Sequence, residues 1–291
     1  MKTIIKQSYH FKDFTTEFEQ CDFSEKPEFT VLYIHGLKSN PWARKADNIK
    51  ELCRKNGLNF RRYELLGHGS DEKKFLRCDF ELWKDQLRDI IANHITGPVI
   101  IVGHCVGGWL GMSIAEEYPD RIKAFLGLAA APDLIEQLLE RSTLEQRQTL
   151  ADTGFVEAQV EKYHYVFSQR LWTNLHANDL LQKDKIDITC PVHLIHGQQD
   201  NFVNWQVILK LAEKIAYGKT VVKILKNSNH HLQDSIAIHE TAQSLYDLYQ
   251  EAKKTKRPIK RGYLSKKRGF ESLFFYSRTN LPQHYAHGQS L

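Results

Sequence analysis

No CxxC pair, no long apolar run and no metal-ligand cluster occurs in this sequence, and each absence removes a class of protein. The five cysteines, Cys21, Cys53, Cys78, Cys105 and Cys190, are odd in number and scattered. That pattern indicates reduced thiols rather than a disulfide framework, hence a cytoplasmic setting, with the mitochondrial matrix as the alternative. Nothing approaches the roughly 18 uninterrupted apolar residues of a membrane span. The opening segment, MKTIIKQSYHFKDFTTEFEQ, has no apolar core ahead of a small-residue cleavage site and is acidic for a transit peptide. The histidines show no HExxH or comparable spacing, so neither a metal nor a cofactor is expected. Internal repeats and low-complexity tracts are also missing.

What is present is an ordinary soluble composition, 42% hydrophobic and 26% charged, in a chain long enough at 291 residues to bury a large core. The net charge of +5 hides an asymmetry. From Ala252 onward there are ten Lys or Arg against one acid, Glu271, so the tail carries +9 and the body −4. We therefore expect a folded body over residues 1–251 and a basic tail over 252–291, flexible or docked. The tail suits an anionic surface, lipid or nucleic acid; the plainer alternative is a solvated appendage. The oligomeric state is not legible.

Short apolar runs alternate with helical patterns through the body. "FTVLYIHG" (29–36), "NFRRYEL" (59–65), "PVIIVGH" (98–104), "KAFLGLAA" (123–130), "PVHLIHG" (191–197) and "TVVKILK" (220–226) read as strands. Helical patterns fall at 43–56, 79–93, 106–118, 204–216 and about 234–254. Near-continuous apolar strands separated by helices predict an α/β fold, a mostly parallel sheet covered on both faces. "SYHFKDFTTEFEQCDF" suggests an antiparallel hairpin at one edge. About 133–188 no strand signal appears, and the stretch reads as a helical cap. Its Tyr163, Phe167 and Trp172 are candidate substrate-binding residues; the alternative is that they form the cap's own core.

The chemistry is concentrated in "IIVGHCVGGWLGM". Gly103-His104-Cys105-Val106-Gly107 follows an apolar strand and opens a helix, the context of a nucleophile elbow. A nucleophile there stands at a helix N-terminus, where free N–H groups and the dipole favour negative charge. Cys105 takes that place, since an adjacent His and a helix N-terminus favour a thiolate. The backbone N–H groups of Val106 and of Leu37, in "VLYIHGLKSN", are the candidate oxyanion donors, with His35 bracing the loop. Asp200, in the loop after "VHLIHG", is the expected acid, and Asp133 its rival. His230 in "KNSNHHLQD" is the expected base, and His231 its fallback. His104 is expected to pack in the elbow.

With these residues placed, the chain from about Thr30 to Tyr249 resembles the α/β-hydrolase superfamily. More closely it is similar to the depalmitoylating acyl-protein thioesterase branch, through "HGLKS", "GGWL", "HGQQDNFVNW" and "NHHLQD". The resemblance implies an acyl-transfer hydrolase with a nucleophile–His–Asp triad, acting on small-molecule or acylated-protein esters or thioesters. It departs at Cys105, where that branch has Ser; some dienelactone hydrolases carry Cys there. Two readings stay open: a hydrolase working through Cys105, or a weakened or engineered hydrolase fold acting as a ligand-binding module.

Overall fold

The computed structural model describes residues 3–160, 163–217 and 219–256. The basic run beyond 256, on which most of the tail expectation falls, lies outside the described residues.

The chain opens with a hairpin, β1 (Thr3–Phe11) and β2 (Phe14–Asp22), then β3 (Thr30–Ile34), α1 (Arg44–Asn56) and β4 (Asn59–Tyr63). Gly57 ends α1 in the left-handed conformation (φ 65°), which lets its N–H reach the Cys53 carbonyl. A 3₁₀ stretch (Gly69–Arg77) leads to α2 (Phe80–Asp89), capped by the Asp79 carboxylate accepting the Leu82 N–H at 2.7 Å. One π turn later come β5 (Val99–His104), α3 (Val106–Glu117) and β6 (Ile122–Leu128). The cap follows as α4 (Leu134–Arg141), α5 (Leu144–Thr153), β7 (Phe155–Val160), β8 (Tyr163–Ser168) and α6 (Gln169–Ala177). The chain then returns through β9 (Val192–Gly197), α7 (Val207–Lys214), β10 (Thr220–Leu225) and α8 (Ser235–Lys256).

The main sheet has the order β1-β2-β4-β3-β5-β6-β9-β10. Only the β1/β2 and β2/β4 pairings are antiparallel; β4 through β10 run parallel. Every residue of β3, β5 and β9 is buried, as a strand covered on both faces requires. Alternation along β5 divides the core. Val99 and Ile101 pack with Trp83 of α2, Trp109 of α3 and Val207 of α7, while Ile100 and Val102 pack with Ile49 of α1 and Leu248 of α8. Parallel strands with both faces covered put all their C-terminal ends on one edge, and β3, β5, β9 and β10 lead into the loops that matter below.

The cap corrects one expectation. It is not wholly helical: Phe155–Val160 and Tyr163–Ser168 form an antiparallel hairpin. "FVEAQV" and "YHYVFS" alternate with period two and carry Val and aromatics, a strand signature that the charged residues around "EKYHYVFSQR" masked. At the C-terminal end, α8 runs five residues past 251, and Ala252 is fully buried.

Candidate active site

The elbow is built by close packing. Cys105 sits between β5 and α3 with φ 55° and ψ −121°, a conformation strained for a residue with a side chain. Its N–H donates to the Leu128 carbonyl of β6 at 3.0 Å, and its carbonyl accepts from Gly108 and Trp109 at 2.9 and 3.2 Å. Gly107 is needed for approach rather than for φ: a Cβ there would stand 2.4 Å from the carbonyl oxygens of both Ile34 and His35. The loop after β3 is thereby pressed against the elbow. Gly36 lies so close that an added Cβ would be 2.9 Å from the Cβ of Cys105. Among the described residues, the N–H groups of Leu37 and Val106 find no hydrogen-bond acceptor.

Asp200 and His230 meet where β9 and β10 end. The Asp200 Oδ2 accepts from His230 Nδ1 at 2.7 Å, and its Oδ1 accepts the N–H groups of Phe202 and Val203 at 2.8 Å each. Gly197 allows the two loops to touch: a Cβ there would be 2.2 Å from the Ser228 carbonyl oxygen. The Phe202 ring stacks on His230 at 4.9 Å and 25°. Burial disfavours the Asp200 carboxylate, yet hydrogen bonds from His196 and His230 outweigh it and hold Asp200 well below the usual range. Burial likewise disfavours an imidazolium at His230, but Cys105 and Asp200 reverse it and raise His230 to about 9. The rival acid, Asp133, instead accepts from Gln137 Nε2 at 2.8 Å, and burial pushes it up to about 6. His231 reaches the cavity wall and makes a T-shaped contact with Phe202.

Four further histidines hold these loops: His35, expected to brace its loop, His104, expected to pack in the elbow, and His68 and His196, for which the sequence suggested no role. His35 donates from Nδ1 to the Gly36 carbonyl and accepts the Leu65 N–H at Nε2, which requires a neutral ring; burial lowers it to about 4. His68 does the same one step on, with Nε2 accepting the Lys38 N–H at 3.0 Å. His104 donates from Nε2 to the His230 carbonyl at 2.9 Å, and burial, aided by the charge of Lys45, holds it neutral. His196 donates from Nε2 to Asp200 Oδ2 at 2.9 Å, and among the described residues its buried Nδ1 has no partner. Only the four-residue spacing of His196 and Asp200 across a tight turn offered a signal in advance; the other three contacts join distant segments.

Cys105 and His230 open onto a cavity of about 240 Å³, walled by Leu37, Leu138, Tyr165, Phe167 and Phe202. Phe167 stands in the wall of this cavity, whereas Trp172 borders a neighbouring cavity of about 540 Å³, which shares Leu138 and Arg141 with the first. The side chain of Tyr163 lies outside the described residues. Among the described residues no cluster of His, Cys, Asp or Glu is arranged to hold a metal. No helix among them is long and apolar enough to cross a membrane.

A family model described as the alpha/beta hydrolase family matches residues 31–243. The chain belongs to that family. The rat mitochondrial palmitoyl-protein thioesterase ABHD10 is 28% identical over 220 residues, covering 75% of this chain and 74% of its own length. The human protein of the same name is 25% identical over 225 residues, covering 75% and 72%. Among solved structures, alpha/beta hydrolase domain-containing protein 10 from mouse superposes with a TM-score of 0.76 at 25% identity, over 84% of this chain and 98% of its own. Est1E from Butyrivibrio proteoclasticus reaches a TM-score of 0.69 at 14% identity, over 84% of this chain and 99% of its own, a likeness of fold alone.

Proposed function

We propose that the protein hydrolyses acyl thioesters, with activated esters as lesser substrates, through a Cys105–His230–Asp200 triad. The observation that carries this is the 2.7 Å bond from His230 Nδ1 to a buried Asp200, beside a cysteine held at positive φ on a helix N-terminus. Asp200 orients the imidazole and stabilises its charged form, and the raised His230 is the counter-ion a thiolate needs. The Cys105 sulfur attacks the acyl carbon, while the N–H groups of Leu37 and Val106 bind the oxyanion. Collapse breaks the bond to the leaving sulfur, which takes the His230 proton and departs as a thiol. Neutral His230 then deprotonates water. The resulting hydroxide attacks the acyl-enzyme, and the thiolate is released together with a carboxylate and a proton.

Cysteine chemistry narrows the substrate class. A thiolate leaves readily, so an intermediate formed from an alkyl ester or amide reverts to substrate; a thioester offers a leaving group that competes. Relatives named palmitoyl-protein thioesterases agree with this choice, as do apolar cavity walls suited to an acyl chain. The acyl group lies against Phe167 and extends past Leu138 toward Trp172. Five buried, unpaired cysteines fit a compartment that keeps thiols reduced, whether cytoplasm or mitochondrial matrix. The basic tail is proposed to engage an anionic surface. Steady-state hydrolysis of an acyl-thioester series with wild type and His230→Ala tests the chemistry; equal turnover by the two would exclude this mechanism. The alternative, a weakened fold that only binds ligand, rests on Cys105 alone and predicts no turnover in either.

A further inference from the structure

Behind the loop that carries His230, a cavity of about 240 Å³ opens between α1 and α8. Ile49 and Leu52 of α1, Leu232 of the loop, and Ile238 and Ala242 of α8 give it largely aliphatic walls. Lys45, Asn48 and Thr241 interrupt them, together with Glu51 and Lys55; of these, Lys45 and Thr241 are buried, at 7% and 5% exposed. Among the described residues, the Thr241 hydroxyl has no hydrogen-bond partner and the Lys45 ammonium makes no hydrogen bond or ion pair. Satisfied polar groups are the rule inside proteins, and burying an ammonium without a partner is unfavourable. Cys105 and Asp200 attract Lys45 only at a distance, and burial still lowers it to about 7. The catalytic chemistry uses neither Lys45 nor Thr241.

We propose that this cavity is a second ligand site, taking a monocarboxylate with a short aliphatic chain that is held by Lys45 and Thr241. One ammonium and one hydroxyl supply donors for the two oxygens of a carboxylate. A single buried cation balances one negative charge, which suits a carboxylate better than a phosphate dianion. The remaining charges on the wall, Glu51 and Lys55, are exposed and lie 4.0 Å from each other. The aliphatic side chains of Ile49, Leu52, Leu232, Ile238 and Ala242 leave room for a chain. The site is separate from the cavity that Cys105 faces and does not depend on the reaction proposed there.

Octanoate titrated calorimetrically into the intact protein tests this without any catalytic readout. Saturable one-to-one binding is expected. Lys45→Met should weaken it at least tenfold, Thr241→Val severalfold, and Ala242→Phe, which fills the cavity, should remove it. Leu138→Trp, which obstructs the catalytic cavity instead, should leave it unchanged. Absence of saturable binding, affinity indifferent to all three α1/α8 substitutions, or loss of binding in Leu138→Trp alone would each overturn the proposal. If Lys45→Met fails to fold, Thr241→Val and Ala242→Phe carry the test.

Discussion

Replacing Asp200 by Asn exchanges one carboxylate oxygen for an NH₂ group and should remove most of the activity. The side-chain oxygen of Asn keeps the N–H groups of Phe202 and Val203, now at 2.8 Å from Oδ1, so the loop is retained. The new NH₂ then falls where Oδ2 stood, facing His230 Nδ1 and His196 Nε2 at 2.7 and 2.9 Å. Both nitrogens donate in the wild type. His230 must become an acceptor at Nδ1, which moves its proton to the face turned toward Cys105 and leaves no base there. An equivalent change in a Ser-His-Asp enzyme lowers turnover about 10⁴-fold, and we expect a loss of about 10³–10⁴ in kcat/KM, roughly 4–5.5 kcal/mol. His196 can answer by shifting its proton to Nδ1, which has no partner among the described residues, so stability should fall by about 1–3 kcal/mol, leaving a folded protein. Thioester hydrolysis and thermal unfolding, measured side by side, decide the matter. A folded Asp200→Asn protein within tenfold of wild type would refute the reasoning.

Other outcomes follow from the same geometry. Because Cys105 is the foremost group raising His230, its NMR titration near pH 9 should move to lower pH in Cys105→Ala; an unchanged titration would contradict the assigned contact. His230, raised from 6.5, adds stability that is complete below pH 6.5 and is lost as pH climbs through about 9. Asp200, lowered from 3.8, adds stability that is complete above pH 3.8 and is lost as acid drives the pH toward its depressed value. Melting temperature against pH should therefore decline on both sides of a plateau, and Asp200→Asn should flatten both limbs. Gly197→Ala, whose methyl would stand 2.2 Å from the Ser228 carbonyl oxygen, should cost about 1–3 kcal/mol and lower kcat more than KM by parting the two loops. Trp172→Ala should shift preference among long acyl chains while leaving the shortest thioesters unaffected, since it borders the second cavity and not the catalytic one; a uniform change would remove it from the acyl path.

Much of this site was legible because local rules dictate it. A Gly-x-Cys-x-Gly turn between a doubly buried strand and a helix has few structural solutions, and loops after parallel strands converge on one sheet edge. The same rules located β3, β5, β6, β9 and β10 to within a residue or two. The cap hairpin was missed because six-residue strands beside charged helical segments carry a short period-two signal that longer amphipathic patterns outweigh. Trp172 was placed by residue type, and type does not say which of two adjoining cavities a half-buried ring will face. His35, His68 and His104 act through bonds to backbone groups up to 126 residues away, and no spacing rule encodes such partners. Lys45 and Thr241 were invisible for a related reason: what marks them is burial without a partner, a property of packing alone.

The most direct test of the central claim is intact-protein mass spectrometry during turnover of an acyl thioester. A single acyl adduct is expected to map to Cys105, to form and decay within the catalytic cycle, and to be absent from Cys105→Ala. Turnover with no adduct on Cys105, or an adduct that forms once and is never released, would contradict it.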